Sequence, residues 1–322
     1  FNVTEEDVIL CASPFFHSLG QRLTLLPLLI GSTLVQLNRF SAQNWSDAVS
    51  ENKVTFTIPV SSHLHELVDT FFNSSKKLSS LRCLVSSSAS IDYDIKNKLI
   101  NLLFCDFHEM YGTSEIATAT DMDNTSLKTN SVGLPCQGVE IKILDKQMKK
   151  CESNQVGQIA VKSPFIFSGY YKLQALTIDS FHDDFFLTGD LGYLDEDSYL
   201  YFVDRIKDII ITGGMNIYPS DIESVIIEHP NISSCIVIGI HDSYLGEVPV
   251  CVLVCEGDTR LVEREVRSKL QSRLASNQRP MKYFFRDYFP LSASGKIDKI
   301  ALRETLNSLN LDLTAKLRAF NK

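Results

Sequence analysis

The chain has 322 residues, of which 31 are Lys or Arg and 39 are Asp or Glu, giving a formal net charge of -8. That acidic balance excludes the electrostatic footprint of a nucleic-acid binder. With 44% hydrophobic and 22% charged residues, the composition is that of a soluble globular protein with room for more than one core.

No transmembrane segment is expected, because the longest apolar stretch, Leu23 to Val35, is short for a span and is interrupted by Pro27, Gly31 and Ser32. The start of the chain, Phe1-Asn-Val-Thr-Glu-Glu-Asp7, has no basic n-region and reads like mid-chain sequence rather than a signal peptide. The eight cysteines are scattered without any CxxC pair, so they read as reduced and structural, which fits a cytoplasmic protein.

From Asp7 to about Glu109, strand candidates at Val8–Cys11, Thr33–Leu37, Val54–Ile58, Leu81–Val85 and Cys105–His108 alternate with helical patterns. Pro59 is placed to open one helix, and Ile91, Ile95, Leu99 and Leu102 mark the apolar stripe of another. The alternation predicts an α/β domain with a mainly parallel sheet over residues 1–130, with ligands at strand C-terminal ends. From Ser131 the texture changes to short alternating runs, Val139–Leu144, Gln158–Val161 and Tyr199–Val203, which predict a β subdomain over 131–204. Residues 205–322 read as a small α+β domain: strand Ile209–Thr212, helix Pro219–Glu228, strands Cys235–Ile240 and Val248–Cys255, and helix Arg260–Ala275.

Four segments carry candidate chemistry. Tyr111-Gly-Thr-Ser-Glu115 follows a strand and sets a hydroxyl and a carboxylate on a turn, where an α/β sheet presents groups to phosphate and a divalent cation. Thr188-Gly-Asp190, read as closing the β subdomain, offers a carboxylate suited to vicinal ribose hydroxyls. Asp204-Arg-Ile-Lys-Asp208, with Gly213-Gly214 beyond it, supplies the rigid fork of Arg205, and Ser294-Gly-Lys296 places an ammonium on a tight turn. Each has an ordinary alternative as a solvated turn or a surface ion pair. His63 and His65, two residues apart, diverge and make poor metal ligands.

Order and spacing are more telling than any one segment. Together with Pro14-Phe-Phe-His17, Ser86-Ser-Ser-Ala-Ser-Ile91, Gly133-Leu-Pro135, Gly169-Tyr170, Phe186 to Tyr193, Asp204 to Glu223, Gly246-Glu247 and Ser294 to Ile297, they resemble the adenylate-forming enzymes, specifically the AMP-forming acyl-CoA synthetases, over essentially the whole chain. The resemblance implies a large AMP-binding α/β domain with a β subdomain, followed by a mobile C-terminal lid. It implies ATP-dependent activation of a carboxylic acid, expected to be a fatty acid, to acyl-AMP, followed by transfer to coenzyme A. Position by position, it makes Ser114 the nucleotide-phosphate contact, Glu115 the Mg²⁺ carboxylate, Asp190 and Arg205 the ribose pair, and Tyr111 the aromatic on adenine. Ser87, Ser88 and Ala89 would line the adenine and acyl pocket, and His17 would sit near the acyl group. Lys296 matches the adenylation lysine, Lys207 the hinge of the lid, and Gly213 and Gly214 the pantetheine tunnel.

Three departures accompany these matches. Ser87 stands where the family has a small Gly, and Glu109 where it commonly has Gln, an added carboxylate that would oppose ATP unless compensated. The Ser/Thr- and Gly-rich phosphate loop expected before Val8 is not in the sequence, so these 322 residues are read as the C-terminal part of a longer enzyme and as a poor catalyst alone. Two alternatives are an adenylation domain that loads a carrier protein, and a catalytically silent fragment that only binds.

Overall fold

The computed structural model describes residues 1–73, 78–87, 91, 93–103, 105–126, 128–292, 297–309, 311, 313 and 314. The chain divides into two compact units, Phe1–Phe202 and Val203–Lys322.

In the first unit, strand β1 (Val8–Cys11), helix α1 (Ser18–Ile30), β2 (Thr33–Gln36), α2 (Ala42–Asn52), β3 (Phe56–Thr57), α3 (Ser61–Asn73), β4 (Cys83–Ser86), α4 (Tyr93–Leu102) and β5 (Asp106–Tyr111) alternate as the periodicities predict. The strands pair in parallel in the order β2-β1-β3-β4-β5. Because side chains alternate across a strand, Leu10, Leu84 and Phe107 pack with Trp45, Leu64, Leu67 and Leu99 on one face. Ile9, Cys11, Phe56, Cys83 and Val85 pack with Leu23 of α1 on the other. Burial on both faces explains why these strands read as short, nearly continuous apolar runs. Asp7, at the mouth of β1, accepts hydrogen bonds from Arg82 and Thr55, and the Arg82 guanidinium holds its carboxyl well below the usual carboxylate range.

The sheet is mainly parallel, as the alternation predicts, with β6 (Thr120–Asp123) and β7 (Leu134–Pro135) added antiparallel on its β5 side. One expectation needs correction. Pro59 does not open α3: Val60 still pairs in parallel with Ser87, so extended backbone persists past the proline, and Val60 O accepts from the amides of His63 and Leu64 to start the helix. The stretch from Leu23 to Val35 is split between α1 and β2, and among the described residues no helix is long and apolar enough to cross a membrane.

Strands β8 (Glu140–Leu144), β9 (Gly157–Lys162), β10 (Phe181–His182), β11 (Phe185–Leu194) and β12 (Leu200–Arg205), with helix α5 (Gln174–Asp179), build a second sheet in the order β10-β11-β9-β8, with β12 on β11. Its core of Ile143, Ile159, Val161, Phe186 and Leu200 includes Tyr111 and Ile116 from the end of the larger sheet.

The second unit contains β13 (Ile210–Thr212), β14 (Met215–Ile217), α6 (Pro219–Ile227), β15 (Ile232–Asp242), β16 (Gly246–Cys255), α7 (Thr259–Arg273), β17 (Lys282–Phe285) and α8 (Lys299–Asn307). Pro219 occupies the first turn of α6, where its missing N–H costs nothing, and Asp258 caps α7 by accepting from Arg260 N at 2.9 Å. Helix α7, expected over Arg260–Ala275, buries Val262, Val266 and Leu270, an apolar stripe with one residue every fourth position. Leu302 and Leu306 of α8, which sequence reading left unassigned, cover the opposite sheet face with Ile236, Ile238 and Val250. All eight cysteines are free, and burial pushes Cys83 up to about 11 and Cys105 up to about 12, which keeps both thiols protonated.

His63 on α3 lies flat on Phe40 at 3.5 Å between ring centroids, and its Nδ1 is buried without a hydrogen-bond partner among the described residues. Burial lowers its pKa from 6.5 to about 4, so the native state holds the neutral ring. The unfolded chain therefore takes up the proton first, and stability present above pH 6.5 is lost as pH falls toward 4. We expect native stability to drop by up to about 3 kcal/mol over that window through this residue. His63→Phe, which keeps a ring on Phe40, should flatten the decline in urea unfolding measured at pH 7, 5.5 and 4. An equal decline in both proteins would contradict the assignment.

Candidate functional site

Strand β5 delivers the first cluster. Phe107, Glu109 and Tyr111 share its buried face, and the chain turns sharply after Tyr111 so that Ala119 N donates back to Tyr111 O at 2.8 Å. Only glycine fits at 112, because a Cβ there would lie 1.9 Å from the carbonyl oxygen of Ala117. Within the turn Glu115 N donates to Thr113 Oγ1 at 3.3 Å, leaving Ser114 exposed and Glu115 half-buried. The Ser114 hydroxyl is 3.5 Å from that of Ser18, the first residue of α1. The residue before it, His17, has its Nε2 buried and without a hydrogen-bond partner among the described residues. Ser114 and the His17 segment, remote in sequence, are thus neighbours.

The Thr188-Gly-Asp190 segment does not close the β subdomain, as sequence reading has it. It lies inside β11, where Leu187 pairs with Ala160 but Leu191 pairs with Gln158 of β9. Three residues of β11 therefore stand against one of β9, which makes Thr188 to Asp190 a bulge that re-aims its side chains. Gly189 has φ of 73°, and a Cβ there would meet nothing within 4 Å, so backbone conformation rather than space calls for glycine. Thr188 Oγ1 pins the bulge by donating to Ile159 O at 2.8 Å and accepting from Asp190 N at 3.1 Å. Asp190, only 2% exposed, accepts from the Tyr111 hydroxyl at 2.8 Å. A hydrogen bond to a charged group contributes about 1.5–3 kcal/mol, and this one joins the two motifs across 79 residues of sequence.

Glu115 has a second tether. Its carbonyl accepts from Phe167 N at 2.7 Å, and its Oε1 accepts from the Tyr170 hydroxyl at 3.0 Å. Among the described residues no group of three His, Cys, Asp or Glu could cage a metal ion. One half-buried carboxylate beside hydroxyls is nonetheless a fitting partial donor set for Mg²⁺, which takes one or two carboxylates and completes its shell with water and phosphate oxygens.

Glu109 is not the free carboxylate that the sequence suggested. It is ion-paired with Lys96 of α4, both side chains being 3% exposed, and Ile91 N donates to it at 3.4 Å. Burial pushes its carboxyl up, against the opposing charge of Lys96. Lys96 also donates to the carbonyls of Thr129 at 2.6 Å and Ser131 at 3.1 Å. The pair is therefore a structural clamp on the α4 side of the sheet, not a charge offered to a ligand. No feature of the Glu109 position alone signals this, since its partner is a helical lysine thirteen residues earlier.

Ser87 is half-buried and extends β4 through its pairing with Val60, whereas Ser88, Ala89 and Lys296 lie outside the described residues. In the second unit Arg205 ends β12 and is exposed, and Lys207 is exposed in the short 3-10 turn Ile206–Asp208. Gly213 and Gly214 form the two-residue loop of the β13–β14 hairpin, with Thr212 opposite Met215. Asp204 accepts from the amides of Arg205 and Ser220, and Asp208 pairs with Lys299 at 3.3 Å. Sequence reading assigns no role to Ser18, Thr188 or Tyr170, although Thr188 and Tyr170 each fall within a motif.

The sequence pattern of the family described as AMP-binding enzyme matches residues 1–171, and that of the AMP-binding enzyme C-terminal domain matches residues 221–296. The chain is 34% identical over 300 residues to the 2-succinylbenzoate–CoA ligase of Bacillus licheniformis, covering 91% of this chain and 60% of that protein. It is 29% identical over 306 residues to a feruloyl-CoA synthase of an Amycolatopsis species, covering 94% and 62%. Among solved structures, ATP-bound MatB from Rhodopseudomonas palustris matches with a TM-score of 0.86 at 28% identity, covering 96% of this chain and 62% of that one. The chain thus spans about three fifths of the length of these curated relatives.

Removing one partner of a buried ion pair leaves an uncompensated charge, which typically costs about 3–5 kcal/mol. Lys96→Met should therefore lower the free energy of unfolding by that amount in a urea titration at pH 7. A loss below about 1 kcal/mol would show that the pair is not the clamp described.

Proposed function

Because the chain belongs to the AMP-binding enzyme family, we propose that its protein uses ATP to convert a carboxylic acid to an acyl-adenylate and then transfers the acyl group to coenzyme A, releasing pyrophosphate and AMP. In the first step a carboxylate oxygen attacks the α-phosphorus and pyrophosphate leaves. Two anions must approach, so charge on the phosphoryl oxygens has to be neutralised where it builds. Mg²⁺ held at Glu115 supplies part of that neutralisation when bound. Ser114 contacts the phosphate, Lys296 brings its ammonium to the same oxygens, and Tyr111 packs on adenine. Asp190 accepts from the ribose hydroxyls with Arg205 as its companion. Ser87, Ser88 and Ala89 line the adenine and acyl pocket, and His17 flanks the acyl group. In the second step the thiol of coenzyme A attacks the acyl carbon and AMP leaves, with Gly213 and Gly214 lining the path of the pantetheine and Lys207 as the hinge.

The observation that carries this reading is the buried Asp190, aimed by the β11 bulge and bonded to the tyrosine of the neighbouring motif. A carboxylate removed from water in a strand bulge, with its orientation fixed from two sides, is suited to recognising a diol by charge-assisted hydrogen bonds. The acid is taken to be hydrophobic, a fatty acid being the reading from sequence. The names of the two relatives point to aromatic acids for those proteins, so aryl acids belong in the same panel.

With the protein that contains this chain, AMP release should require ATP, coenzyme A and one class within a panel of fatty and aryl acids. No AMP release with any acid would contradict the activity. Asp190→Asn, which retains an acceptor for Tyr111 but removes the charge, should weaken AMP binding by about 10- to 100-fold, corresponding to about 1.5–3 kcal/mol. An unchanged affinity in calorimetric titration would remove Asp190 from the ribose site.

A further inference from the structure

We infer that Tyr170 is the positioning residue for the metal-binding carboxylate, its hydroxyl fixing Oε1 of Glu115 so that Oε2 faces the ion; the inference rests on the reading of Glu115 as the Mg²⁺ carboxylate. The hydroxyl donates to Oε1 at 3.0 Å. The only side-chain hydrogen bond of Glu115 among the described residues is the one to Oε1, so one oxygen is committed and the other is left for a ligand.

Tyr170 is itself held at several points. Its amide donates to Thr177 Oγ1 at 2.9 Å, and the same hydroxyl donates to Leu173 O at 3.1 Å, locking the segment onto α5. Its ring meets Phe167 edge-on at 4.8 Å, and Phe167 packs in turn on Phe181 and Phe186. The Phe167 amide reaches the Glu115 carbonyl at 2.7 Å, so this segment grips both the main chain and the side chain of Glu115. Space between Gly169 and Thr177 is equally constrained, since a Cβ at 169 would lie 2.9 Å from Thr177 Cγ2.

A glutamate on a turn has three side-chain torsions to restrict before it can hold an ion in one geometry, and ordering such a side chain costs free energy on binding. A donor already seated on one oxygen removes that freedom beforehand. Outer-shell partners of this kind typically change metal affinity by about 10- to 100-fold when lost. Tyr170 touches neither nucleotide nor metal in this scheme and acts only through Glu115.

The test is the effect of metal on nucleotide binding, which is independent of turnover. Dissociation constants for ATP are measured in excess EDTA and in saturating Mn²⁺ for the wild type, Tyr170→Phe and Glu115→Gln, with thermal unfolding as the control. Tyr170→Phe should leave ATP binding in EDTA unchanged and reduce the tightening by Mn²⁺ about 10-fold. Glu115→Gln should abolish that tightening. In the protein with activity, half-saturating Mg²⁺ should rise with kcat at saturating Mg²⁺ nearly unchanged. If Glu115→Gln loses the Mn²⁺ effect while Tyr170→Phe keeps it, the positioning role is overturned and the reading of Glu115 stands. If Mn²⁺ has no effect in the wild type, or the same effect in all three, that reading falls and the inference with it. Should Tyr170→Phe fail to fold, Thr177→Val carries the test: it should reduce the Mn²⁺ effect in the same direction, and an unaltered effect would overturn the proposal.

Discussion

The hydrogen bond from the Tyr111 hydroxyl to the Asp190 carboxylate is the contact on which the rest of the first unit depends. Tyr111 ends the last parallel strand of the large sheet, and Asp190 sits in the bulge of a different sheet. Both groups are withdrawn from water, so the carboxylate cannot be solvated and its partner must come from protein or ligand. The bond thereby sets how β11 meets the end of β5, where an α/β sheet presents ligands with its loops. Glu115, four residues beyond Tyr111, inherits its position from the same turn and is fastened a second time by Phe167 and Tyr170. Two acidic side chains are held in this way by tyrosine hydroxyls, one in each of two neighbouring motifs.

Which parts of this were legible in the sequence follows from the physics of each element. The strands Val8–Cys11 and Cys83–Ser86 carry apolar side chains to both faces, so their short apolar runs announce them. The stripe of α7 and the proline at the start of α6 act locally, and both were readable for that reason. β6 was missed because Thr120-Asp-Met-Asp buries only Thr120 and Met122, leaving a polar face that resembles a loop. α8 passed unnoticed because two buried leucines four residues apart make a faint pattern in nine residues.

At the candidate site, sequence motifs name residue types but not their aim. Gly189 reads as a turn residue, and it does adopt a positive φ, yet the turn is a bulge within a continuous strand rather than the end of a subdomain. Glu109 reads as a charge near a ligand, yet the alternation of β5 sends it toward α4, where Lys96 neutralises it. Tyr170 has no local signal of its role, because its partner lies 55 residues away. In each case the deciding fact is a register or a long-range partner, which composition and periodicity do not encode.

The central claim is that the bulge of β11 presents a tyrosine-bonded carboxylate to a ribose. A crystal structure of the protein with AMP tests it most directly. The account predicts the two ribose hydroxyls within hydrogen-bond distance of the Asp190 carboxylate, with the bulge and the Tyr111 bond retained. AMP bound with its ribose away from Asp190, or an Asp190 that engages only Tyr111, would contradict it.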